Sequence, residues 1–328
     1  MTKNQSTSLI PIDSTKPALN LTSSRGTQVL KIPNDVKAFL VERFSDCNKK
    51  IAFQLSTFPN APEEALDLLF ISYFAVMQGA IKFDSNWTLR LDAHFIGGGR
   101  HYRTWEVADI GLMVIFRRNG KIIRSKLTFL QSKKLFASPL QLKTYDPYHR
   151  RGMGRLLVTD DEHQELVRPR LLKYSELSRY KAFKIGSEQE RAMNAFSRRY
   201  KVPLHYLFYN PCLIPWQIQS PVEGLPEITE NEVGCRVIGK AAVDKILKNA
   251  KKNSSPSYKD LKTGFVRACP NSHSDGGWRL ERFICDLFIG GSEGVVDDSP
   301  NFELMTHIMA AKSSPISSAL SITFDFEE

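Results

Sequence analysis

The chain predicts an α/β fold in which helices flank a mixed sheet, and three observations carry that prediction. The segment Asn60 to Gln78 is apolar nearly all round at helical spacing, as a helix buried on several sides must be. Ile110–Arg117 and Lys121–Lys133 are two β-rich runs joined by Asn119-Gly120, the strongest short hairpin signal a sequence offers. Val202–Tyr209 is a further β-rich run stopped by Asn210-Pro211.

The elements follow in order. Residues 1–28 are rich in Ser, Thr, Asn and Lys and read as a flexible tail. Asn34 can cap a short helix whose apolar side is Val36, Phe39, Leu40 and Phe44. Asn60 and Glu63 resemble a capping box, with Pro62 in the first turn, and Gly79 ends that helix. Thr88–Phe95 reads as a strand followed by Gly97-Gly98-Gly99. After the hairpin, residues 136–172 are broken by Pro139, Pro147, Gly152, Gly154 and Pro169, which predicts an insertion of short pieces. Ser175 and Ser187 each open a helical pattern, and Ser187 with Glu190 forms a capping box. The resulting division is a core over 29–210 and an accessory region over 211–328. The accessory region is expected to be mostly helical, with stretches near Lys240–Asn249 and around Leu280, Phe283, Ile284, Leu287 and Phe288.

Charge is unevenly distributed. The 328-residue chain carries +10, yet Arg117 to Lys201 alone holds 21 Lys and Arg against 8 Asp and Glu. A basic middle beside a slightly acidic remainder is the footprint of a polyanion-binding protein, most simply a nucleic-acid binder. Within it, Tyr148, His149, Arg150, Arg151 and Arg155 are candidates to grip a phosphate backbone, with Tyr148 as a stacking face. The longest apolar run, Ala65 to Met77, is too short to span a bilayer, so no membrane is expected. Five cysteines without paired spacing suit reduced thiols and a cytoplasmic protein.

The reactive candidates lie on the hairpin. Residues two apart on a strand share a face, so Gln131 and Lys133 point the same way. Pairing about Asn119-Gly120 puts the start of the first strand, with Asp109, beside the end of the second. A carboxylate and an amide oxygen are hard ligands suited to Mg²⁺ or Mn²⁺. A lysine beside them can orient an attacking water and offset developing negative charge. That set suits a phosphodiesterase. The neutral Gln131 calls for a further acid, and Glu63, Glu64 and Glu106 are the candidates.

The order helix, three strands, helix, strand, with Asp109 and Gln131-Ser132-Lys133, resembles the PD-(D/E)XK (restriction-endonuclease-like) nuclease superfamily in its Gln-x-Lys variant. Thr104-Trp105-Glu106-Val107-Ala108-Asp109-Ile110-Gly111 also resembles the Glu-x-x-Ala-Asp-x-Gly lead-in of nuclease domains in bacterial anti-phage defence proteins. The resemblance spans about residues 60–210. It implies a restriction-endonuclease-like core, in which Thr88–Phe95 and the hairpin form a three-strand meander, and Mg²⁺-dependent cleavage of DNA, with RNA as the alternative. Asp109, Gln131 and Lys133 would then be the catalytic set. Asp109 and Gln131 would hold the metal, and Glu64 on the first core helix would complete the site. The C-terminal region would serve a protein partner or self-association. The competing expectation is a nucleic-acid-binding or partner-binding subunit on the same fold without chemistry of its own, for which the neutral Gln131 argues.

Overall fold

The computed structural model describes residues 22–23, 30–77, 79–95, 107–139, 172–217, 228, 234–266, 277–291, 293–297 and 316–327. Glu106, Gly97-Gly98-Gly99, most of the expected 1–28 tail, and Tyr148, His149, Arg150, Arg151 and Arg155 lie outside the described residues. The architecture is α/β: a mixed sheet with helices on both faces.

The helices are α1 (Asn34–Thr57), α2 (Glu63–Ala75), α3 (Glu188–Tyr200), α4 (Lys240–Ile246), α5 (Tyr258–Val266) and α6 (Leu280–Arg282), the last continuing as a π-helix over Phe283–Ile289. The longer strands are β1 (Trp87–Phe95), β2 (Ala108–Arg118), β3 (Lys121–Lys134), β4 (Leu204–Tyr209), β5 (Arg236–Gly239), β6 (Val295–Asp297) and β7 (Ile316–Phe326). Across the sheet the order is β5, β4, β3, β2, β7, β1, and β6 pairs with β3 beside β4. No helix among the described residues is long and apolar enough to cross a membrane.

The hairpin forms as its turn demands. Asn119 and Gly120 both take positive φ, at 51° and 74°, the left-handed pair that matches the twist of the flanking strands. Ile110 pairs with Leu130 and Gly111 with Phe129. Alternation then sorts the side chains. Ile110, Leu112, Val114, Phe116 and Leu130 enter the core under α1, α2 and the π-helix, and Leu127 and Phe129 enter the opposite core with Met193 of α3 and Val243 of α4. β4 runs parallel to β3, with Gln131 beside Tyr206 and Lys133 beside Phe208.

Four sequence expectations are corrected. First, the short helix at Asn34 is a 24-residue helix, because its apolar stripe continues through Cys47, Ile51 and Leu55. Second, Ser175 opens no helix. Residues 179–185 run instead beside 253–257, with Tyr180 N–H bonded to Pro256 O and Ile185 N–H to Ser254 O.

Third, the accessory region is not a mostly helical extension among the described residues. It supplies β5, β6 and β7 to the same sheet, so residue 210 is no boundary of that sheet. Fourth, Thr88–Phe95 does not neighbour the hairpin. β7 lies between, antiparallel to β1 and parallel to β2. The signal was present in the sequence: Leu320, Ile322 and Phe324 alternate with Ser321 and Thr323, the period of a strand with one face buried more deeply than the other.

Candidate active site

The site is built where two strands part. The β2–β3 register ends at the Ile110–Leu130 pair, and β3 runs on to Lys134. On that edge the N–H groups of Ser132 and Lys134 need acceptors, since a buried orphan N–H is costly. Asp109 Oδ2 takes the Ser132 N–H at 2.6 Å, and Glu63 Oε2 takes the Lys134 N–H at 2.6 Å. Successive N–H groups on one strand edge lie two residues apart, about 7 Å. The two carboxylates are thereby held side by side along the end of β3.

Gln131 and Lys133 complete the cluster. Gln131 Nε2 donates to Asp109 Oδ2. Lys133 Nζ reaches Glu63 Oε1 at 3.4 Å, with the lysine side chain 3 % exposed and the glutamate 16 %. Asp109 therefore meets Gln131, and Lys133 on the same strand face meets Glu63. Glu64 does not join them. It lies exposed on α2, whereas Glu63, one position earlier, turns toward β3.

The expected capping box explains what sequence reading missed. α2 starts at Glu63 with Pro62 as its N-cap and has no side-chain capping bond. Glu63 spends its carboxylate on Lys134 and Lys133 rather than on its own helix. Local propensity is overruled here, as happens where a side chain is committed to a site.

Asp67, one turn further along α2, was not a candidate. It is buried behind β3 and accepts from Ser132 Oγ at 2.5 Å and Tyr209 Oη at 2.7 Å. Burial pushes its carboxyl up to about 7 and the neighbouring Glu63 adds to the rise, while the two hydrogen bonds and Lys133 oppose it. Its signal was an acid at i+4 from Glu63 in an otherwise apolar stretch. Lys134 Nζ donates to Pro59 O at 2.7 Å and to Ala61 O, fixing the loop before α2 to the end of β3. Burial lowers that ammonium to about 8, and Glu63 partly offsets the shift.

Asp67 makes stability depend on pH. Its carboxyl is raised above the ordinary 3.8, so the folded state holds this proton more tightly than the unfolded chain. The group's contribution is most favourable below about 4 and declines as pH rises to about 7. Asp67→Asn keeps an acceptor oxygen for Ser132 and Tyr209 and removes the buried charge. The variant should melt above wild type at pH 8, with the difference shrinking toward pH 5. Thermal melts across that range check it, and equal differences at both ends would refute the assignment.

A divalent cation fits these residues. Gln131 Oε1 is a buried oxygen without a hydrogen-bond partner among the described residues, and it sits on the amide that touches Asp109. An acceptor left in that position is what a hard cation satisfies, and Asp109 supplies the adjacent carboxylate. No group of three His, Cys, Asp or Glu side chains suited to a metal occurs among the described residues. No family model, curated protein or solved structure matches this chain.

Proposed function

We propose that the protein is a divalent-metal-dependent phosphodiesterase that cleaves nucleic acid, DNA in the first instance and RNA as the alternative. The convergence of Asp109, Gln131, Glu63 and Lys133 at the end of β3 carries this reading. The element order α2, β1, β2, β3, α3, β4, with β4 parallel to β3, supports a restriction-endonuclease-like core into which β7 is inserted. The resemblance of residues 104–111 to the lead-in of anti-phage nuclease domains extends the reading to a role in defence.

Asp109 and Gln131 would hold the metal, with Glu63 as the further acid. When bound, Mg²⁺ supplies a Lewis acid for a phosphoryl oxygen and an acidified water. The protein's own groups do the rest. The Ser132 N–H fixes Asp109, and Glu63 Oε1 draws Lys133 Nζ into line beside the carboxylates. From there the ammonium can orient the attacking water and offset charge that develops on the phosphate.

The test combines metal response with one substitution. Wild type should cut plasmid DNA or single-stranded RNA in millimolar Mg²⁺ and stop in EDTA. Gln131→Glu puts a second carboxylate against Asp109, a like-charge contact worth about 1–4 kcal/mol. Its melting temperature without metal should fall, and added Mg²⁺ or Mn²⁺ should restore it at lower concentration than wild type needs for the same rise. If wild type cuts neither substrate and melts identically with every divalent ion, the proposal fails.

A second reading has one observation behind it. Asp109 and Glu63 both satisfy N–H groups of an unpaired strand edge, and edge capping alone would account for them. On that reading the chain binds nucleic acid without cutting it, and Asp109→Ala leaves binding unchanged.

A further inference from the structure

We infer that a cationic ledge beside the candidate site, built from the 179–185 and 251–257 segments, is the track for the phosphate backbone of the nucleic acid. The inference rests on the nuclease reading and joins part of the sequence's basic middle to Lys251 and Lys252, which lie outside it.

The ledge begins at the site itself. Lys134, whose N–H is held by Glu63, carries its Nζ 4.7 Å from the centre of the Phe136 ring. Lys181 Nζ approaches the same ring at 5.4 Å. Phe136 N–H bonds Arg179 O at 3.0 Å, which fixes the second segment to the end of β3. That segment is laced to the next. Arg179 Nη1 reaches Ser255 O at 2.6 Å, Ser255 Oγ reaches Lys181 O at 3.1 Å, and Asn253 N–H reaches Ile185 O at 2.9 Å. Two loops 70 residues apart in sequence thus form one rigid strip. The stem of Lys252 lies over Gly186, where an added Cβ would sit 3.2 Å from its Cγ, so this lysine is also placed by the backbone.

Lys181, Lys184, Lys251 and Lys252 are exposed, and none makes an ion pair among the described residues. The carboxylates around them are already engaged. Asp260 accepts from Ser257, Glu190 caps α3 through Gly186 N–H, Glu176 pairs with Lys262, and Asp244 pairs with Lys240. A cleft of about 390 Å³ between the segments, lined in part by Arg179, Lys251, Ser254 and Asp260, gives the strip a concave floor. Exposed ammonium groups pre-placed along a rigid strip suit evenly spaced phosphates, whose binding releases condensed counterions. The side chains that the strip exposes are mainly charged, which suits a phosphate backbone better than the apolar interior of a membrane.

The test uses the full chain and three forms: wild type, Lys133→Met, and Lys184→Glu/Lys251→Glu/Lys252→Glu. Binding of fluorescein-labelled duplex DNA and single-stranded RNA is followed by anisotropy in EDTA over a salt series. The triple variant should bind at least about tenfold more weakly at low salt, with the slope of log K against log salt reduced by about 2–3. Lys133→Met, which removes one ammonium at the candidate site, should lower the salt slope by no more than about 1. A triple variant with wild-type affinity and slope overturns the ledge while leaving the nuclease reading intact. A wild type that binds neither nucleic acid overturns both. Loss of affinity only for anionic phospholipid vesicles or a polyglutamate peptide, run in parallel, also overturns the ledge as a nucleic-acid track. The three lysines are exposed, so an unchanged melting temperature shows that the triple variant is folded.

Discussion

A chain ending at residue 315 should not fold. β7 is not an appendage: it sits between β1 and β2, and its removal deletes two backbone ladders at once. Leu320, Ile322 and Phe324 are fully buried on the face toward α1 and α2. Burial of three such side chains contributes roughly 5–9 kcal/mol, which compares with the whole stability of a typical domain at about 5–15 kcal/mol. Phe324 also stacks on Phe116 of β2, with ring centres 5.1 Å apart, and lies edge-on to Trp87 of β1. The truncated chain should be insoluble or show no cooperative melt. Phe324→Ala offers a graded version, with an expected loss of about 3–5 kcal/mol in denaturant titration. A truncated chain that melts cooperatively would mean that β1 pairs directly with β2 and that the terminal strand is dispensable.

Lys133→Met should remove cleavage and spare the fold. The substitution keeps a long apolar stem at this buried position and deletes the ammonium that Glu63 Oε1 holds at 3.4 Å. A group that positions a water and stabilises developing charge contributes about 10²–10⁴-fold in rate. Glu63 does not lose all its partners, because the Lys134 N–H still binds Oε2. The melting temperature should therefore fall by far less than breaking a fully buried pair would cause. Single-turnover cleavage with the variant in excess measures the effect without the complication of substrate affinity. Glu64→Ala is the matched control: its side chain is exposed and should leave the rate at the wild-type level. A Lys133→Met variant that cuts at the wild-type rate ends the assignment.

The parts of the site that were legible in the sequence share a property. Asp109, Gln131 and Lys133 lie on two strands joined by one tight turn, and such a turn makes the two strands neighbours. Asn119-Gly120 starts the pairing at Arg118 and Lys121, and a one-residue shift between Phe116 and Arg117 then puts Ile110 opposite Leu130. The choice between Glu63 and Glu64 was not legible. The two are neighbours on α2, about 100° apart around its axis. Which of them meets β3 depends on how the helix is rotated against the sheet. That rotation follows from burial of Leu66, Phe70 and Phe74, all inaccessible to solvent, in a core completed by distant strands.

Asp67 was hidden for a related reason. A lone acid in an apolar helix looks like an interruption until its partners are known, and both partners, Ser132 and Tyr209, come from other strands.

The sequence by itself determined the α/β class, the hairpin, α2, and the meeting of Asp109 with Gln131. All of these rest on local periodicity or on a turn that spans a few residues. Only the tertiary structure decided that β7 enters the middle of the sheet, that Glu63 rather than Glu64 faces Lys133, and that Lys251 and Lys252 come to lie beside Lys181 and Lys184. The physical reason is the same in each case. Hydrogen bonding along an open strand edge and burial of one helix face are satisfied by whichever segment arrives there, and chain separation leaves no mark on it in the local pattern.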